Sequence, residues 1–288
     1  MYDLNSRVND LYFGILLLDE QLKQNALLQD ELERNYRQIT AYVENGIANQ
    51  ADLDAVKVEQ LNTKQKRVEL VSSRMAYLKM LSLLVGEKLS QETVLEKPVP
   101  QDDISAVGEI RRPELSLFNA QGVGLQVQEK ALNVRHLPQF GLFVQGAYGN
   151  PGLNMLKNEF SPYYIAGVRL SWNFGSLYTL KNDRKVIENK RRQLDNNRDV
   201  FLFNTRLEMT QQDQAIQSLE KQMQDDDEII RLRTNIRKSA EAKVANGTLT
   251  VTEMLRELTN ESLARQSKAL HEIQRLMGIY QLKYTTND

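Results

Sequence analysis

A mainly α chain carrying one β-hairpin is the fold class this sequence predicts, and three observations predict it. Apolar residues recur at alternating steps of three and four over long stretches, an internal repeat punctuates two of those stretches, and one short region changes its hydrophobic period from 3.5 to 2. The repeat is Ala41-Tyr-Val-Glu-Asn-Gly46, which returns as Ala242-Lys-Val-Ala-Asn-Gly247 at an offset of 201 residues. Two copies at such a spacing describe one architectural unit used twice.

The first stretch places Leu4, Val8, Leu11, Ile15, Leu18 and Leu22 on a coiled-coil seam, which resumes after a phase shift at Leu32, Tyr36, Ile39 and Val43. One helix over that length reaches ~60 Å and must pack lengthwise on others. Asn45-Gly46 supplies the left-handed stop of a helix C-terminus. Asn49 or Gln50, with Asp52 in the first turn, starts an antiparallel return helix that runs to about Leu84 and ends at Gly86. Residues 87–113, with Pro98, Pro100, Gly108 and Pro113, read as a linker. Pro113 then opens a third helix through about Arg135, and Pro138 closes it.

Beyond Pro138 the period becomes 2. Phe140, Leu142, Val144, Gly146 and Tyr148 form one alternating run, and Tyr164, Ala166, Val168, Leu170, Trp172 and Phe174 form another, set against Tyr163, Ile165, Gly167, Arg169, Ser171 and Asn173. A loop rich in Gly, Asn and Pro joins the two runs. The expected product is a hairpin with one apolar and one largely polar face. Its strand lengths and terminal aromatics match those of membrane-spanning β-strands, and a hairpin packed on a soluble core has the same alternation. The long neighbouring helices favour the membrane reading. After Gly175 the chain returns to helix through about Val244, with Ile216, Leu219, Met223, Ile229, Leu232, Ile236 and Ala240 as its seam; continuous, it would span ~90 Å. Asn246-Gly247 turns the chain back, and a last helix runs from about Thr252 to Tyr284.

Composition narrows the function classes. The 288 residues carry 26% charged side chains with a formal net charge of -1, which lacks the basic footprint of a nucleic-acid binder. With no cysteine there is no disulfide, thiolate nucleophile or Cys-based metal site. His136 and His271 are far apart and lack ligand spacing, so no metal or cofactor is expected. Gly122-Val-Gly124 has no preceding strand and is not a dinucleotide loop. Asp225-Asp-Asp-Glu228 and the basic residues Lys181, Arg184, Lys185, Lys190, Arg191 and Arg192 read as solvated helix faces, the latter also near enough to the hairpin to meet lipid headgroups. No nucleophile and base can be paired, so no enzyme is expected. Residues 1–30 carry no signal-peptide pattern, and no segment approaches ~18 continuous apolar residues, which implies a soluble protein or a removed export signal.

The order of long helix, Asn-Gly tip, return helix, Arg111-Arg-Pro-Glu-Leu115 with its helix, strand hairpin, and Ser171-Trp-Asn-Phe-Gly175 leading into another long helix resembles the TolC-like outer-membrane efflux proteins. The resemblance covers nearly the whole chain. It implies a homotrimer that shares one outer-membrane β-barrel and extends a helical tunnel into the periplasm of a Gram-negative bacterium, where it meets an adaptor protein and an inner-membrane pump. Passive export, not catalysis, is the implied role.

The implied layout is a first tunnel hairpin over 1–86, an equatorial linker over 87–113, a helix to the membrane over 114–137, barrel strands over 138–175 and a second tunnel hairpin over 176–288. Barrel strands would turn Phe140, Leu142, Val144, Tyr148, Tyr164, Val168, Leu170, Trp172 and Phe174 to lipid. The resemblance also implies adaptor-docking tips at Gly46, Ile47, Ala48 and Gly247, Thr248, Leu249. A pore constriction would include Asp52, Glu253 and Arg256, three Glu253 carboxylates focusing a negative field that Arg256 lessens. Asp52 and Glu253 equally suit helix N-termini, and both roles can coexist. Val244 and Leu249 stand where the best-known members carry an aromatic and a basic residue that lock the closed state, so a different fastening is expected. Family members carry a further helix pair and hairpin before the position of Tyr2, so a truncated member is inferred. The competing reading is a soluble coiled-coil scaffold capped by its hairpin.

Overall fold

The structure, a computed structural model, describes residues 2–99 and 109–287. The elements run α1 (Tyr2–Glu44), α2 (Gln50–Val85), α3 (Pro113–Arg135), β1 (Gln139–Gly149), β2 (Ser161–Ser171), α4 (Ser176–Ala245) and α5 (Val251–Thr286). Pro100 and Gly108 of the expected linker lie outside the described residues. The chain divides into two compact units: Met1–Ile110 with Arg206–Asp288, and Arg111–Thr205.

In the first unit α1 has two packing faces. Leu11 and Ile15 meet Leu78 and Leu81 of α2, while Phe13 and Leu16 meet Ile273 and Leu276 of α5. The single seam expected for α1 is therefore half of its contact surface, and Leu4, expected on it, is exposed. Gly14 permits close approach, since a Cβ there would sit 2.6 Å from the Tyr77 ring. A fully buried side chain such as Ile15 or Leu78 contributes roughly 1.5–3 kcal/mol.

Ile216, Leu219, Met223 and Ala240 of the expected α4 seam are packed, and its other three positions are each replaced by the next residue along the chain. Ile229, Leu232 and Ile236 are about half exposed, and the packed line is Met209, Ile216, Leu219, Met223, Asp226, Ile230, Arg233, Arg237, Ala240 and Val244. It keeps the 3–4 spacing but admits three charged residues. Each charge has a partner on α5. Asp226 takes His271 at 2.9 Å, Arg233 lies 3.6 Å from Glu257, and Arg237 binds Glu261. Ion pairs between helices thus replace part of the apolar seam. They also correct the reading of Asp225–Glu228 as a solvated face at one position: Asp226 is buried, while Asp225, Asp227 and Glu228 stay exposed.

The segment after α2 is pinned rather than free. Arg74, buried on α2, pairs with Asp19 of α1 and donates to the carbonyls of Gln91 (2.8 Å) and Thr93 (2.7 Å). Tyr12 donates to the Glu96 carbonyl at 2.6 Å, and Lys97 pairs with Glu272 at 2.7 Å. Arg74→Leu leaves two carbonyls and a carboxylate short of donors, and is expected to cost about 2–3 kcal/mol in urea unfolding. A loss under about 0.5 kcal/mol would show that the clamp is incidental.

In the second unit α3 runs antiparallel to the first part of α4. The Phe118 and Phe201 rings lie 5.8 Å apart, Glu129 pairs with Arg191 at 2.9 Å, and Arg184 donates to Asn133 at 2.8 Å. Part of the basic cluster is therefore helix-to-helix cement. The strands β1 and β2 form a two-stranded antiparallel sheet with Leu142 opposite Val168 and Val144 opposite Ala166.

Candidate functional site: the hairpin face and the helix tips

Register decides what the hairpin presents. Residues with even numbers pair with one another: Phe140 with Leu170, Leu142 with Val168, Val144 with Ala166, Gly146 with Tyr164, and Tyr148 with Pro162. Side chains alternate across a strand, so those pairs share one face, and every member is apolar or aromatic. The face is bare. Leu142 is 86% and Val144 78% exposed, far beyond what an isolated apolar side chain on a surface requires.

The other face is mixed: Gln139, Gln145, Ser161 and Ser171 share it with Phe143, Tyr163 and Ile165, and Arg169 is the one charged side chain on either strand. Arg169 lies over the Phe143 ring at 5.5 Å, and that ring covers Gly167. Each strand has 11 residues, about 36 Å long at ~3.3 Å per residue, which crosses about 25 Å when tilted by ~45°.

Two of the expected membrane-facing residues are not in the strand. The β2 strand ends at Ser171, so Trp172 and Phe174 belong to the connection into α4. Trp172 donates its indole N–H to the His136 carbonyl at 3.1 Å, and its ring lies 4.3 Å from that of Phe174. The alternation simply continues past the point where strand pairing stops.

At the helix ends the repeat resolves into one device built twice. Gly46 has φ 71° and Gly247 φ 67°, left-handed values that favour glycine. The Ile47 N–H bonds the Tyr42 carbonyl (2.8 Å) and the Gly46 N–H that of Val43 (3.1 Å); Thr248 with Lys243 and Gly247 with Val244 repeat the pattern (both 2.9 Å). That is a Schellman motif in each copy. The side-chain amides of Asn45 and Asn246 donate to the backbone carbonyls of Ala41 (2.7 Å) and Ala242 (2.9 Å), which gives the Asn of each copy the same task.

Capping boxes follow. Asn49 accepts from the Asp52 N–H (3.0 Å) while Asp52 accepts from the Asn49 N–H (3.1 Å). Thr250 accepts from the Glu253 N–H (3.3 Å), and both its N–H and its hydroxyl donate to the Glu253 carboxylate (3.3 and 2.9 Å). Asn49 and Thr250 are thus the N-caps, and Asp52 and Glu253 their partners at the third helical position. These bonds from Thr250, helped by the charge of Arg256, hold the Glu253 carboxyl below the usual carboxylate range.

Because that pKa is depressed on folding, the contribution of Glu253 is present above the ordinary carboxylate pKa and disappears as the pH falls through the folded value. Thr250→Ala is expected to cost about 1 kcal/mol and to return the Glu253 titration, followed by NMR, toward that of a free side chain. An unmoved titration would rule out the cap as its cause.

The two tips are joined by packing. Leu32, Ile39, Val56, Ala240, Val244, Val251, Met254, Leu255 and Leu258 form one cluster, against which Val43, Ala48, Leu53 and Leu249 also pack. Val244 and Leu249, expected at a gate, are therefore partly or wholly spent on this core. Ile47 remains half exposed, and a groove of about 440 Å³ beside the second tip is lined by Ile236, Lys243, Leu249, Glu253 and Arg256. Arg256 itself is exposed and lies 3.6 Å from Glu257.

Sequence reading missed the charged cluster behind the second tip. Glu261, only 4% exposed, accepts from Arg237, Arg265 and Thr234, and Arg237 also reaches Glu241. Its signal was the fit of Arg233, Arg237 and Glu261 to the heptad positions of their helices. Among the described residues no group of His, Cys, Asp and Glu is placed to hold a metal ion, and no helix is long and apolar enough to cross a membrane.

No protein-family model matches the chain, and no curated protein matches it in sequence. Solved structures do. The outer membrane protein VceC of Vibrio cholerae superposes with a TM-score of 0.79 over 99% of this chain and 70% of its own, at 11% identity. The CmeC outer membrane channel of Campylobacter jejuni gives 0.76 over 99% of this chain and 62% of its own, at 12% identity. For the MtrE outer membrane channel of Neisseria gonorrhoeae the values are 0.73, 99%, 66% and 12%. The chain has the fold of the TolC-like outer-membrane channels, long paired helices with a small β portion. It spans from 62% to 70% of the length of these three structures.

Proposed function

We propose that the chain is the channel subunit of an outer-membrane export system, passing solutes from the periplasm to the exterior without catalysing a reaction. The observation that carries this reading is the hairpin: an apolar face of five cross-strand pairs, bare in the single chain, on strands of membrane-crossing length. The two strands leave unpaired backbone edges, which hydrocarbon does not tolerate, so further strands must meet them. A homotrimer embedded in outer-membrane lipid would pair these hairpins with one another, contributing six strands, two from each copy, to a barrel that needs at least about eight. Its helices would form the periplasmic tunnel, its tips Gly46–Ala48 and Gly247–Leu249 would meet an adaptor coupled to an inner-membrane pump, and Asp52, Glu253 and Arg256 would set the charge at the constriction.

Reconstitution in planar bilayers tests the proposal. Discrete conductance steps are expected, with a preference for cations that weakens in Glu253→Gln. Unchanged selectivity removes Glu253 from the pore while leaving the channel. A protein that stays monodisperse without detergent and carries no current is instead the helical scaffold.

A further inference from the structure

The helix ends next to the hairpin carry more cation than anion. Residues 130–137 and 176–187 hold five Lys and Arg side chains, Lys130, Arg135, Lys181, Arg184 and Lys185, against one carboxylate, Asp183, which accepts the Thr179 hydroxyl at 2.9 Å. Arg184 donates to the neutral amide of Asn133. Lys130, Arg135, Lys181 and Lys185 are exposed and make no ion pair among the described residues. The opposite end of the hairpin is balanced instead: residues 150–160 have Lys157 and Glu159 as their charges, 3.5 Å apart.

Aromatic residues mark the level at which these cations stand. Trp172 and Phe174, in ring contact just past β2, are 45% and 58% exposed, and Tyr178 in the first turn of α4 is 90% exposed. Rings with an apolar body and a polar tip settle at the boundary between hydrocarbon and water. Arg135 adjoins His136, whose carbonyl takes the Trp172 indole N–H at 3.1 Å, and so stands at that boundary too. Tyr178, Lys181 and Lys185 follow one another at steps of three and four, on one face of α4. At a rise of ~1.5 Å per residue, Lys181 lies ~5 Å and Lys185 ~11 Å farther from the hairpin than Tyr178. The headgroup layer is about 5–8 Å deep on each side of a bilayer, and a charged surface acts over about 8 Å more.

We propose that this collar binds anionic phospholipid in the leaflet on the helix side of the membrane, Arg135, Lys181 and Lys185 taking the headgroup phosphates and the rings of Trp172 and Tyr178 lying at the level of the glycerol esters. The site rests on the outer-membrane reading given above and adds to it a lipid class and a leaflet. A phosphodiester without a neighbouring ammonium supplies the charge that the collar lacks, whereas a zwitterionic headgroup brings its own cation with it. Each lysine or arginine near an anionic surface is worth about a fivefold preference.

Trp172, the single tryptophan of the 288 residues, reads the site from within. In the full-length protein reconstituted in phosphatidylcholine vesicles, its emission is taken as the difference from Trp172→Phe. Dibromo-phosphatidylglycerol is expected to quench that emission about fivefold more effectively than dibromo-phosphatidylcholine at the same mole fraction. The preference should shrink with added salt and vanish when Arg135→Gln, Lys181→Gln and Lys185→Gln are combined, while Lys157→Gln at the other end of the hairpin keeps it. Equal quenching by the two lipids, or a preference that survives the triple variant, overturns the site, and current through the same preparation leaves the channel standing. Quenching by neither lipid also overturns the site, and where no current flows it overturns the channel with it.

Discussion

Glu261→Leu is expected to lower the stability of the helical unit by about 3 kcal/mol, among the largest effects of any single substitution in it. The side chain of Glu261 is 4% exposed and that of Arg237 12%, with Glu241 and Glu31 as the other carboxylates near the guanidinium. Removing Glu261 strands most of a buried cation. Adding Arg237→Met should recover most of the loss, since an apolar pair of similar volume fills the seam without a desolvated charge.

The pH dependence has a definite sign. Burial pushes the Glu261 carboxyl up, but bonds from Arg265, Arg237 and Thr234 outweigh it and hold the group below its ordinary value. Its stabilisation is therefore complete above the ordinary carboxylate pKa of ~4.3 and is lost as the pH falls through the folded value. Urea titrations from pH 7 to pH 3 should show a steeper acid loss in the wild type than in Glu261→Leu. Parallel curves would place the acid sensitivity elsewhere.

Val144→Arg and Gln145→Arg are expected to have opposite fates, though they are neighbours in sequence. Val144 lies at the centre of the apolar face opposite Ala166, and Gln145 points to the other face opposite Ile165. A cation at mid-membrane depth on the lipid side costs about 2–4 kcal/mol per copy, whereas one on the lumen side meets water. Val144→Arg should abolish stable recovery in outer-membrane fractions, and Gln145→Arg should assemble with altered ion selectivity. If both assemble equally well, the apolar face does not meet lipid.

Where structure follows from nearest neighbours, the sequence was legible. Asn45-Gly46 and Asn246-Gly247 were readable as helix stops because the left-handed turn and the amide bond to the fourth residue back are both local. The strand pair was readable from its period, until Trp172 and Phe174 continued the alternation after backbone pairing had ended at Ser171. On α4 the apolar triplet Ile229, Leu232 and Ile236 outweighed the line one residue further on, which contains Arg233 and Arg237. That line packs only because Glu257 and Glu261 arrive from α5, and no rule of local periodicity supplies partners from another helix. The clamp of Arg74 on Gln91 and Thr93 escaped for the same reason.

The doubled tip has an implication for how such a protein changes. Within each turn, the position after the glycine contributes a backbone N–H to the Schellman bond, and any residue except proline can supply one. Ile47 and Thr248, the residues there, differ completely in chemistry while the backbone around them is the same. The outermost point of each hairpin thus owes the fold little beyond that N–H, the Thr248 hydroxyl adding one bond to the Lys243 carbonyl (3.0 Å). It can drift, diverge between the two copies, or be tuned to whatever surface it touches, and the helices behind it would register little of the change.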